Sequence, residues 1–176
     1  MSVERLILQK PTAEMEQAAL DYKSEYFQAG EMVLHGDAML DSMEYGPWLR
    51  RVLENWGRKS AHGDLVPAST FFAVRESDGR IIGMVDIRHE LNVVLAAYGG
   101  HIGYGVRPSE RRKGYATAIL KMALAYAKEL GLSRVMLTCD RDNEASRKTI
   151  VNCGGKLERE VIDADGNVVQ VYWIML

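Results

Sequence analysis

Between Gly99 and Cys139 the hydrophobic period of this sequence changes twice, and no other stretch limits the available folds as much. Gly99 to Val106 reads as a strand. From about Gly114 the apolar residues Ile119, Leu120, Ala123, Leu124, Ala127 and Leu130 recur at helical spacing and make one buried face. Gly131 ends that helix as a C-cap. Arg134 to Cys139 is then an almost unbroken apolar run, the pattern of a strand covered on both faces. Strand, helix and strand in this order pair in parallel and place the chain in the mixed α/β class.

The flanking segments add antiparallel pairs. Thr70 to Arg75 and Arg80 to His89 surround Ser77-Asp78-Gly79, and Leu157 to Ile162 and Val168 to Ile174 surround Asp165-Gly166; both read as hairpins. Val3 to Gln9 is a short strand. Pro11-Thr12 then opens a helix that stops near Gly30, and Trp48, Leu49, Val52, Leu53 and Trp56 mark another. Between them Glu31 to Met43 is rich in breakers and reads as a lid. Asn143 caps a short helix ending at Gly154-Gly155. The expected fold is thus α/β (α+β mixed): a mostly antiparallel twisted sheet of about seven strands, one parallel pair at its centre, helices on both faces. Residues 1–176 fit a single domain, long enough to bury roughly 70% of its unfolded surface.

A net charge of -2 provides no broad basic field, so neither nucleic acid nor membrane is an expected partner. The cysteines, Cys139 and Cys153, lie in no metal-ligand spacing, so no metal is expected. Met1 to Lys10 carries too short an apolar run for a signal peptide, and no segment has the length of a membrane span; the expected location is the cytoplasm.

The chemistry concentrates at Arg111-Arg112-Lys113-Gly114-Tyr115-Ala116. Basic side chains, a glycine and the free N–H groups of a helix N-terminus meet there, as binding a phosphate or pyrophosphate requires. Gly99 to Gly105 is also glycine-rich, but lacks the Gly-x-Gly-x-x-Gly spacing of a dinucleotide fold.

Taken together, the hairpin, the strand Gly103-Tyr104-Gly105-Val106-Arg107-Pro108, Arg111-x-x-Gly114-x-Ala116, the helix, the buried strand, the Asn143-led helix and the final hairpin resemble the GNAT superfamily of acetyl-CoA-dependent N-acetyltransferases. The resemblance covers residues 70 to 174 and implies acetyl-CoA as cosubstrate and an amine as acceptor. By it, the backbone of Arg112, Lys113, Gly114, Tyr115, Ala116 and Thr117 holds the pyrophosphate, and the Val106 N–H polarises the thioester carbonyl. Arg107 and Arg111 belong to the same signature stretch. Asn143 and Ser146 match the family's Asn-x-x-Ala/Ser on the pantetheine arm, although an asparagine there also serves as a plain N-cap. Where relatives carry a tyrosine that protonates the departing thiolate, this sequence has Ile150; Tyr98, Tyr104 and Tyr172 are substitutes. His101 and Glu44 are the candidate bases, each weighed against a packed histidine and a solvated helix-start carboxylate. Ile150 also keeps open a non-catalytic acyl-CoA-binding sensor. Family members often dimerise, which implies a homodimer through the edge of the terminal hairpin. Cys139, beside Asp140, reads as packing rather than as a nucleophile.

Overall fold

The computed structural model describes residues 3–59 and 65–176. Its strands are β1 (Leu6–Gln9), β2 (Ala68–Arg75), β3 (Ile81–Arg88), β4 (Ile102–Val106), β5 (Arg134–Asp140), β6 (Lys156–Ile162) and β7 (Val168–Met175). The helices are α1 (Glu16–Gln28), α2 (Tyr45–Gly57), α3 (Tyr115–Glu129) and α4 (Glu144–Asn152), with a single π-helical turn at Leu95–Gly99. Both expected hairpins form, β2 with β3 and β6 with β7.

The seven strands divide into two sheets, ordered β1-β2-β3-β4 and β5-β7-β6, and every ladder is antiparallel. The parallel pair expected between β4 and β5 is reduced to a single point of contact. There the His101 N–H donates to the Met136 carbonyl at 2.7 Å, and the Met136 N–H donates not to a backbone carbonyl but to Nδ1 of His101 at 2.9 Å. A side chain taking the place of a carbonyl ends the ladder, and the strands part beyond it.

Two cores flank the first sheet. On one face Ile119, Leu120, Ala123 and Ala127 of α3 pack with Ile82, Val85, Ile102 and strands β5 and β7. On the other, Tyr22 and Tyr26 of α1 and Trp48 and Val52 of α2 pack on Phe72, Val74 and Met84. Helices therefore cover both faces, as their apolar stripes require. The segment between α1 and α2, expected to be a lid, is instead nailed into this second core by Leu34 and Leu40, which are 3% and 0% exposed.

Candidate functional site

Where β4 and β5 diverge, an open groove of about 980 Å³ enters the molecule. Its walls are Ile102–Val106 of β4, Thr138–Asp140 at the end of β5, the first turn of α4 and the loop residues Leu34–Met39, and it ends at the N-terminus of α3.

Backbone geometry equips this groove with donors. Arg107 N–H donates to Ile82 on β3 at 2.8 Å, and in an antiparallel pair the direction alternates, so the Val106 N–H faces away from β3. Val106 itself lines the groove. Its carbonyl accepts from the Tyr26 hydroxyl at 2.7 Å and from Nε of Arg111 at 3.0 Å. At the far end the chain turns into α3 through two left-handed residues, Arg112 at φ 62° and Gly114 at φ 86°. The first α3 bond runs from Ala118 N–H to the Gly114 carbonyl, which leaves the N–H groups of Tyr115, Ala116 and Thr117 free of helical partners. These three residues line the groove, with Arg111, Arg112 and Gly114.

The basic triplet is largely occupied within the molecule. Arg111 forms a two-pronged pair with Glu31 at 2.6 and 2.8 Å, and Lys113 bonds Glu110 at 2.8 Å. Arg112 makes no ion pair among the described residues and is the cation left for an anion. Gly114 sits in the left-handed region that favours glycine, and a Cβ there would meet Val3 Cγ2 at 2.8 Å. Arg107, 1% exposed, does not line the groove; it bonds Asp21 of α1 at 2.7 Å and lies over Tyr22. Its Nε stands 3.0 Å from Glu25 at an angle too poor for a hydrogen bond.

Neither candidate base is in the groove. His101 is buried between the sheets, and burial, helped by Arg88 and Arg134, pulls its pKa down to about 4. With Nδ1 accepting from Met136, the neutral ring carries its proton on Nε2 and has no free lone pair. Glu44 is an exposed residue ahead of α2.

The second wall starts at Asn143, whose Oδ1 accepts the Ser146 N–H at 3.1 Å as an N-cap. The Ser146 hydroxyl lies 3.2 Å from that of Tyr104, so β4 and α4 meet across the groove. Ile150, one turn further along α4, is fully buried. Burial drives the Tyr104 phenol up to about 12. Tyr172 is buried with its hydroxyl on Gln170, and Tyr98 lines the groove half-exposed. Burial and then Asp140 raise the Cys139 thiol, against a nucleophilic role. Among the described residues no cluster of histidine, cysteine, aspartate and glutamate is arranged to hold a metal.

One groove residue had no sequence signal beyond that of a loop breaker. Asp37 is 6% exposed, and burial, with Asp41 adding, raises its carboxyl to about 6.

Comparison with known proteins bears on this geometry. Residues 31–154 match the model of the acetyltransferase (GNAT) family. Mycothiol acetyltransferase of Thermobispora bispora is 32% identical over 129 residues, 70% of this chain; the chain spans only 41% of that protein's length. Among solved structures, the ribosomal-protein-S5-alanine acetyltransferase from Vibrio fischeri superposes with TM-score 0.76 at 16% identity, covering 99% of this chain and 95% of that one. The microcin C7 self-immunity acetyltransferase MccE, in complex with acetyl-CoA and AMP, gives TM-score 0.71 at 18% identity, covering 99% and 94%.

Proposed function

Because the chain belongs to the acetyltransferase (GNAT) family, we propose that it moves an acetyl group from acetyl-CoA to an amine acceptor by direct attack in the groove between β4 and β5. The observation that carries this reading is the α3 N-terminus. Three N–H groups without helical partners and Arg112, unpaired among the described residues, open onto a groove whose β4 wall turns the Val106 N–H inward.

The pyrophosphate of acetyl-CoA rests on the N–H groups around Gly114 to Thr117, where the helix dipole adds about half a positive charge. Arg112 supplies the full cation; Arg107, Arg111 and Lys113 shape the turn through Asp21, Glu31 and Glu110. Asn143 and Ser146 face the pantetheine arm. The amine, freed of its proton, attacks the thioester carbonyl, and the developing oxyanion is met by the Val106 N–H. The carbon–sulfur bond breaks as the nitrogen gives up its second proton to solvent and the amide forms. Tyr104, still protonated near neutrality, donates to the thiolate and replaces the role that Ile150 cannot fill. Solvent later returns a proton to the Tyr104 phenolate. His101 and Glu44 have no part in this scheme.

We carry three further expectations into the same proposal: residues 1–176 act as one domain, in the cytoplasm, and pair as a homodimer. Edge strand β6, with Leu157 and Ile162 exposed, supports the last. No helix among the described residues is long and apolar enough to cross a membrane. The reading is tested by thiol release from acetyl-CoA against polyamines, aminoglycosides, amino acids and peptide α-amines, with product identified by mass. Amine-dependent release of one thiol per N-acetyl product is expected; tight acetyl-CoA binding with no release from any of them would favour the sensor.

A further inference from the structure

The groove contains a charged side chain that this scheme leaves unused. Asp37 is more than nine-tenths buried, yet lines the groove. Its oxygens accept the N–H groups of Met39 at 3.2 Å and Asp41 at 2.7 Å, and no cation among the described residues is within ion-pair distance. Its own N–H adds a third, local bond, and an ionised carboxylate has about four acceptor positions, so part of its capacity stays open. A buried charge in this condition is costly unless something pairs with it.

The surrounding loop is shaped to hold it there. Gly36, at φ +70°, lies so close to β4 that a Cβ would come within 2.5 Å of the Gly103 carbonyl. Ala38 and Met39 are left-handed without being glycine, at φ 52° and 75°. Trp48 Nε1 fixes the Asp37 carbonyl at 2.8 Å. Strain of this kind persists where the surroundings enforce it, and it gathers at functional sites. Asp41 on its own loop and Tyr22 on α1 couple electrostatically to Asp37, and His35 of the same loop lines the groove with it. Two arginines of the groove are taken, Arg88 by Asp86 at 3.2 Å and Arg111 by Glu31.

We propose that Asp37 receives the acceptor amine: the carboxylate pairs with its ammonium and takes one proton, leaving a neutral amine against the thioester. An N–H bond breaks, an O–H bond forms on Asp37, both charges vanish, and the proton passes to solvent after transfer. The inference rests on the acetyltransferase reading and adds that the acceptor arrives as a cation. Its loop packs with the α1–α2 core, whereas Tyr104 packs with the α3 core, so base and acid reach the groove from opposite faces of β4. A carboxyl held near neutrality by burial suits the task.

The test follows the Asp37 carboxyl by carbon-13 NMR of labelled aspartate in the CoA-bound wild-type protein, titrated with 1,4-diaminobutane or, as the uncharged control, 1,4-butanediol. The diamine is expected to lower the apparent pKa of Asp37 and the diol to leave it unchanged. In kinetics with any amine that turns over, Asp37→Asn should lower kcat/KM by about 100-fold or more and remove the acid limb near pH 6, with acetyl-CoA affinity unchanged. A carboxyl indifferent to the diamine, or an acid limb that survives in Asp37→Asn, would overturn the proposal. Failure of the wild type to bind acetyl-CoA would instead sink the acetyltransferase reading, and this proposal with it.

Discussion

Replacing Gly114 by alanine separates the two things this residue does. At φ 86° an alanine pays about 1–2 kcal/mol for the left-handed region, and its Cβ must also push aside Val3 Cγ2, the tip of a surface side chain 2.8 Å away. A domain of this size with roughly 5–15 kcal/mol of stability survives that, losing about 2–8 °C in Tm. Relaxation of the strain rotates the turn and misdirects the N–H groups of α3. Loss of one charge-assisted hydrogen bond, about 1.5–3 kcal/mol, raises the acetyl-CoA Kd by about 10- to 150-fold. Gly131, at φ 88° just beyond α3 with open space around it, provides a control of similar backbone strain at the end of α3 away from the groove. Thermal unfolding and calorimetry with acetyl-CoA should show both alanine variants less stable and only Gly114→Ala weaker in binding. Equal Kd values for the two would refute the assignment of the α3 terminus as the phosphate cradle.

Other expected outcomes follow from the same geometry. Tyr104→Phe should lower kcat by about tenfold or more with acetyl-CoA affinity intact; the effect stays at the modest end because a thiol of pKa ~8.5 leaves readily. Arg107→Leu should destabilise the fold by about 1–3 kcal/mol in denaturant unfolding, since it removes the bond to Asp21 and the guanidinium over Tyr22 while Glu25 keeps Arg80 and the Ser109 N–H, and folded protein keeps its acetyl-CoA affinity. The His101 pKa is depressed to about 4, so its contribution to stability is present above about 6.5 and lost as pH falls through 4; His101→Gln should flatten that loss and leave the shape of the rate–pH profile unchanged. Asp37 has the opposite sign. Its raised pKa makes the native state hold the extra proton between about 4 and 6, so wild type should lose roughly 2–3 kcal/mol relative to Asp37→Asn as pH rises across that window, measured by urea unfolding.

Much of the fold was legible because its signals are local. The apolar stripe of α3, the Asp78-Gly79 and Asp165-Gly166 turns and the Asn143 cap all formed where short-range patterns put them. The turn into α3 that is proposed as the cradle was readable for the same reason, since a glycine and a helix start are neighbours in the chain. What stayed hidden depends on long-range placement. Nothing near His101 reveals that its ring replaces a carbonyl and splits the sheet, nor that Arg107 turns inward to α1. Asp37 reads as a turn former; only the seating of Gly36 on β4 and of Leu34 and Leu40 in the core makes it a buried carboxylate at the groove. Tyr104 owes its prominence to Ser146, which lies on another element.

The most direct test of the account is thermal unfolding of the protein with acetyl-CoA, CoA and NAD, paired with thiol release where a shift occurs. A ligand that binds only the native state raises Tm, by about 2.7 kcal/mol of stabilisation at one hundred times Kd. The account predicts stabilisation by acetyl-CoA and CoA, none by NAD, and amine-dependent thiol release. No shift at saturating acetyl-CoA would contradict it.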